Sequence, residues 1–211
     1  MESIKYETLI NGENPKVAII GLHGWKGNSK SFQIIAKQMK LENVEWFFLE
    51  APYIIDDKPN ERSWSYEISP NVWEMDKPTE LLTQFFNNIV FAKYESQNVF
   101  VIGFSQGALV CFEHSLFIDK PLAGIFPVAG FFREPNVEKQ RISQSQKNTQ
   151  ILIGHGIDDD IVPIESSEFV YDTLKNQGAN VELFKFNGKH KIGISYLNKV
   201  KNIIKMKTNS K

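Results

Sequence analysis

Three runs in this chain, Val17 to Ile20, Val99 to Ile102 and Ile151 to Ile153, are apolar without a break, and each leads through a short turn toward a stretch of helical periodicity. A strand apolar on both faces must be covered on both. That requirement is met by a parallel sheet sandwiched between helices, and hardly by anything else of this size. Reading outward from these runs, strands are expected at Tyr6 to Ile10, Val17 to Leu22, Val44 to Glu50, Asn98 to Ile102, Leu122 to Ala129, Gln150 to Gly154 and Val181 to Phe186. Helices are expected between them at Ser31 to Met39, Pro78 to Tyr94, Gln106 to Phe117, Glu165 to Asn176 and Ile192 to Lys205. The expected fold class is therefore α/β, with a mostly parallel sheet of about seven strands. With 211 residues the chain is expected to form one domain, 1–211.

Charge narrows the partners. Lys plus Arg (24) nearly cancels Asp plus Glu (25), so no net field draws nucleic acid or an anionic membrane. The lysines near the end of the chain alternate with Ile192, Tyr196, Val200 and Ile203 at helical spacing, which makes them the wet face of a docked helix. No stable membrane insertion is expected, because no apolar run approaches the length of a span and the N-terminus has no signal-like apolar segment. The single cysteine, Cys111, reads as a small buried apolar residue and fits a reducing, cytoplasmic setting. Oligomeric state is not legible.

Chemistry enters at Gly103-Phe104-Ser105-Gln106-Gly107, which sits where the strand ending at Ile102 turns into a helix. A turn that sharp leaves no room for side chains two residues before and two after its centre, and both are glycine. It lifts the Ser105 hydroxyl off the sheet edge and points the first helical N–H groups at the space beside it. A serine hydroxyl is a weak nucleophile unless a base takes its proton and a carboxylate holds that base. In sheets of this kind the order is serine, acid, histidine. His23 precedes Ser105, His114 falls well into its helix, and His155 precedes the candidate acids; only His190, in the loop FNGKH, satisfies the order. The acid lies among Asp158, Asp159 and Asp160, and spacing does not separate the three. Adjacent carboxylates rarely converge on one ion, so no metal and no cofactor is expected. The Gly-rich turn Leu22 to Gly27 can offer the Trp25 N–H to a developing oxyanion, with the Gln106 N–H as second donor, and His23 then serves to brace that turn.

From Ala51 to Lys77 the rhythm fails. Prolines and the aromatics Tyr53, Trp64, Tyr66 and Trp73 occur there with no period, and a stretch so long is usually functional when it is ordered. Two compatible readings arise: an apolar wall or lid over the site, with Trp64 in contact with substrate, or a cluster that packs the segment down.

Taken together, LHGWKGN, GFSQGA, HGIDDDIVP and the closing GKH resemble, from about Val17 to Ile204, the phospholipase/carboxylesterase family of α/β-hydrolases, which includes the acyl-protein thioesterases and small bacterial carboxylesterases. The resemblance implies an α/β-hydrolase fold without a large cap domain, Ser105 as nucleophile, His190 as base, Asp159 as the acid and the N–H groups of Trp25 and Gln106 as oxyanion donors. It implies a small-molecule ester or thioester as substrate, hydrolysed through an acyl-enzyme. Trp25-Lys26 stands where the thioesterases often carry Gly-Asp, and 51–77 shares little with their lid beyond Arg62-Ser63-Trp64, so substrate identity is not carried over. A lactone hydrolase, a lysophospholipase and a catalytically silent binding protein are the alternative readings.

Overall fold

The computed structural model describes residues 2–133 and 141–209. In chain order the elements are β1 (Lys5–Asn11), β2 (Val17–Leu22), α1 (Ser29–Phe32), α2 (Ile34–Met39), β3 (Val44–Glu50), β4 (Tyr53–Ile55), β5 (Lys58–Ser63), β6 (Glu67–Ser69) and β7 (Val72–Trp73). There follow α3 (Asp76–Phe85), a π-helical turn (Phe86–Val90), α4 (Phe91–Lys93), β8 (Val99–Phe104), α5 (Gln106–Glu113), β9 (Gly124–Val128), β10 (Gln150–Gly156), α6 (Ile164–Asn176), β11 (Val181–Phe186) and α7 (Ile194–Asn209).

Seven strands form one sheet in the order β1-β3-β2-β8-β9-β10-β11, parallel throughout except that β1 runs against β3. The unbroken apolar runs explain this. Along β2, Ala18, Ile20 and Leu22 enter one core layer with Leu82 and Phe85 of α3, Val110 and Phe112 of α5 and Val170 of α6. Val17 and Ile19 enter the other layer, with Ile35 and Met39 of α2 and Tyr196 and Val200 of α7. Period-two side chains that are apolar on both faces thus find helices on both faces. Cys111 lies in the first layer, fully buried, and burial pushes its thiol well above the ordinary range.

The chain steps from β2 outward to β3, then returns to place β8 on the other side of β2. Such a reversal opens a crevice beyond the carboxyl ends of the two central strands, where open α/β sheets hold their ligands. The turn after β2 carries Trp25 and the turn after β8 carries Ser105.

Two expectations need correction. The segment 51–77 is not aperiodic: it folds into two antiparallel hairpins, β4–β5 and β6–β7, both irregular in register. The helix expected over 78–94 is divided by the π-helical turn into α3 and α4.

Candidate active site

Ser105 occupies the tip of the β8–α5 turn with φ 53° and ψ −114°, a strained conformation for a residue with a side chain. It is held by its own N–H, which donates to the Val128 carbonyl on β9 (2.8 Å), and by its carbonyl, which accepts from Ala108 and Leu109. The flanking glycines are required by space. A Cβ on Gly107 would stand 2.1 Å from the Leu22 carbonyl oxygen, and one on Gly103 would stand 2.3 Å from that of Gly107.

His190 reaches Ser105 from the loop after β11. Its Nε2 lies 3.0 Å from Ser105 Oγ and its Nδ1 lies 2.8 Å from Asp159 Oδ2. Of the three consecutive aspartates, Asp159 alone makes this contact. Its Oδ1 accepts the N–H groups of Ile161 and Val162, both at 3.0 Å, and the carboxylate is buried. Burial would raise its pKa, but the N–H groups of Val162 and Ile161 and the His190 ring hold it below the ordinary carboxylate value. Asp160 instead pairs at the surface with Lys189, and Asp158 is held through its N–H to the Gly188 carbonyl. The Asp159 and His190 loops pack so closely that a Cβ on Gly156 would meet the Gly188 carbonyl oxygen at 2.3 Å. Fully buried His155 braces the Asp159 loop, with Nε2 2.9 Å from the Val162 carbonyl oxygen and Nδ1 2.6 Å from Ser167 Oγ.

The turn after β2 is equally constrained. Lys26 N–H donates to Arg62 O, Arg62 N–H donates to Gly27 O, and Gly27 N–H donates to Gly24 O. His23 Nε2 accepts the Ala51 N–H at 3.1 Å, so the proton resides on Nδ1 and is donated to Gly24 O at 2.7 Å. These bonds leave the Trp25 N–H, like that of Gln106 at the start of α5, without an acceptor among the described residues. The turn abuts the serine, since a Cβ on Gly24 would lie 3.4 Å from Ser105 Cβ. Two free N–H groups flanking one hydroxyl can stabilise an anion formed there.

A cavity of about 790 Å³ opens beside Ser105, large enough for a drug-sized ligand. Its apolar walls come from Tyr53 and Trp73 of the hairpins, from Tyr66 in the link between them, and from Leu109 and Phe131. Trp64 is not among them. It is fully buried; its indole N–H donates to the His23 carbonyl (2.8 Å) and its backbone N–H to Gln106 Oε1 (3.0 Å). Ser63 and Ser65 on either side of it line the cavity, so the period-two alternation turns Trp64 toward the core. The reading of Trp64 as a substrate contact gives way to that of a residue packing the segment down.

Sequence reasoning assigned Gln106 only its backbone N–H. Its side chain also donates to Ser63 Oγ (2.8 Å) and Ser65 Oγ (3.3 Å), fastening the β5 end to the Ser105 turn. Arg133, which no motif singled out, lines the same cavity. Among the described residues, no group of three or more His, Cys, Asp or Glu is placed to hold a metal ion, and no helix is long and apolar enough to cross a membrane.

Burial lowers the pKa of His23 and of His114, on α5's exit, to about 4. Both ionise near 6.5 in the unfolded chain, which therefore binds more protons between those two values. Stability is then full above about pH 6.5 and falls as the pH drops toward 4, by roughly 2 kcal/mol per histidine at pH 5. The urea midpoint is expected to be lower at pH 5 than at pH 7, with about half of the difference removed in His114→Gln. A midpoint unchanged over this range would contradict the burial of the two rings as neutral groups.

Comparison with known proteins bears on family and fold. The sequence profile described as phospholipase/carboxylesterase matches residues 5–208. Carboxylesterase SOBER1 of Arabidopsis thaliana is 25% identical over 196 residues, covering 86% of this chain and 84% of the relative. Acyl-protein thioesterase 1 of Saccharomyces cerevisiae is 29% identical over 93 residues, covering 42% of this chain and 41% of the relative. Among solved structures, esterase PE8 superposes with a TM-score of 0.84 at 19% identity, covering 97% of this chain and 99% of that one. The Bacillus cereus carboxylesterase gives 0.78 at 18% identity, covering 96% and 94%.

Proposed function

The chain belongs to the phospholipase/carboxylesterase family, on the α/β-hydrolase fold, and from that membership we propose that it cleaves carboxylic esters or thioesters with an apolar acyl group by a two-step acyl transfer. The observation that carries this reading is the unbroken line from Ser105 Oγ through His190 to Asp159, at 3.0 and 2.8 Å.

In the first step His190 Nε2 takes the Ser105 proton as Oγ attacks the carbonyl carbon. The carbonyl π electrons move to oxygen, where the N–H groups of Trp25 and Gln106 stabilise the negative charge. Asp159 accepts a hydrogen bond from the Nδ1–H of His190, which keeps its proton; this fixes the tautomer and stabilises the imidazolium. Collapse of the intermediate breaks the bond to the alcohol or thiol, which leaves with the proton from Nε2. Water, deprotonated by the same nitrogen, then attacks the acyl-serine and releases the acid. The apolar walls of Tyr53, Tyr66, Trp73, Leu109 and Phe131 support an apolar acyl group, since each buried methylene stabilises by about 0.8 kcal/mol.

The single buried cysteine supports a cytoplasmic location. A panel of para-nitrophenyl esters, acyl thioesters and lactones tests the substrate class. Turnover of esters and thioesters is expected; hydrolysis confined to lactones, or absent throughout, would overturn the proposal.

A further inference from the structure

An acyl pocket that received only alkyl chains would have no use for a buried guanidinium. Arg133 nevertheless lines this one, and among the described residues that line the cavity it is the sole Lys, Arg or His. It is 9% exposed. Its Nη2 donates to Ser65 Oγ at 3.1 Å, its Nε faces Glu113 Oε1 at 3.4 Å, and the Trp73 ring lies over it with its centre 4.6 Å from Cζ. Nη1 is buried and has no partner among the described residues. Taking such a pair out of water carries a cost that its mutual attraction only partly returns, and an unmade hydrogen bond adds to it.

The second partner compounds this. Glu113 Oε2 is likewise buried without a hydrogen-bond partner, and burial drives the Glu113 pKa up against the influence of Arg133. Burial lowers the Arg133 pKa in turn, so both partners of the pair are held out of water at a cost. Ser65 Oγ receives both the Arg133 guanidinium and the Gln106 amide, so the cation stands two hydrogen bonds from the residue that follows the nucleophile. Among the described residues that line the cavity the one carboxylate is Asp56, which is exposed and makes no ion pair with Arg133.

From these contacts we infer that the cavity selects esters bearing a second carboxylate a few carbons from the scissile carbonyl, half-esters of dicarboxylic acids or their alcohol-side equivalents, with the carboxylate seated on Arg133. The inference rests on the hydrolase reading above and deepens it. The hydrocarbon spacer lies against Leu109, Phe131 and Trp73, and the carboxylate meets Arg133 where its side chain lines the cavity. Planar guanidinium and carboxylate can pair through two parallel bonds, which a lysine could not reproduce.

The test compares kcat/KM for para-nitrophenyl hemiglutarate with that for the para-nitrophenyl ester of a branched alkyl acid of the same length. A second pair, acetylated hydroxybutyrate and the acetate of a branched alkyl alcohol of the same length, carries the carboxylate on the leaving group; the pair with the larger ratio identifies the side that Arg133 reads. In Arg133→Gln the ratio of charged to alkyl ester is expected to fall by about 10- to 100-fold, the loss of one charge-assisted bond. A merely structural Arg133 would lower both rates together, so a ratio that falls less than tenfold in both pairs overturns the inference. Glu113→Gln, which removes the countercharge, is expected to raise the ratio and serves if Arg133→Gln does not fold; no rise there overturns it equally. Wild-type protein that cleaves neither member of either pair refutes the hydrolase reading itself, and with it this inference.

Discussion

Ser105→Ala is expected to lower kcat/KM for a para-nitrophenyl ester by about five to six orders of magnitude, with the urea midpoint close to that of the wild type. The hydroxyl makes one hydrogen bond, to His190 Nε2. The strain of the turn is carried by the backbone, whose φ of 53° an alanine must also adopt, and the Cβ that neighbours Gly24 remains. The variant therefore loses the attacking atom and little else. Residual turnover would come from the N–H groups of Trp25 and Gln106 acting on a bound ester attacked by water.

Asp159→Asn is expected to be nearly as severe, costing about 10,000-fold in kcat. Asp159 receives N–H donors on both oxygens: Ile161 and Val162 on Oδ1, His190 on Oδ2. An asparagine oxygen can satisfy the backbone pair, but its amide then points an N–H at His190. The ring must present Nδ1 as acceptor and place its proton on Nε2, the nitrogen that has to receive the serine proton. The neighbours supply the control. Asp160 pairs only with exposed Lys189, and a surface pair of this kind contributes little. Asp158→Asn and Asp160→Asn are each expected to retain activity within about twofold of wild type. A severe effect of either, with a mild one at Asp159, would move the acid to another residue.

The sheet was legible because its signal is local. All seven strands expected from apolar runs are present, and β2 shows why: residues 17 to 22 are apolar at every position and buried at every position. The contact of Ser105 with His190 was legible through chain order and turn chemistry. Spacing alone left the acid open among three aspartates, because which carboxylate turns inward depends on how the loop closes on Gly188, a contact between segments 30 residues apart in sequence. The hairpins of 51–77 were missed for a different reason. Their strands are short, two to six residues, and largely exposed, so none is long enough for an apolar period to announce it. Trp64 was misplaced because aromatic content was weighed without the serines flanking it. Serine, tryptophan, serine is itself a period-two pattern, and it turns Trp64 to the side away from the cavity. Arg133 carried no signal at all; a lone arginine after two phenylalanines acquires its meaning only from Ser65, Trp73 and Glu113, brought to it by three other segments.

The central claim is that Ser105 becomes acylated during turnover, and trapping that intermediate tests it most directly. Protein quenched in acid while hydrolysing a para-nitrophenyl ester, or inactivated with a fluorophosphonate, is digested and its peptides are weighed. The expected result is one added acyl or phosphonyl group on the peptide containing Gly103 to Gly107, located at Ser105 and absent from Ser105→Ala. Turnover of the ester with no adduct on that peptide, or an adduct that persists in Ser105→Ala, would contradict it.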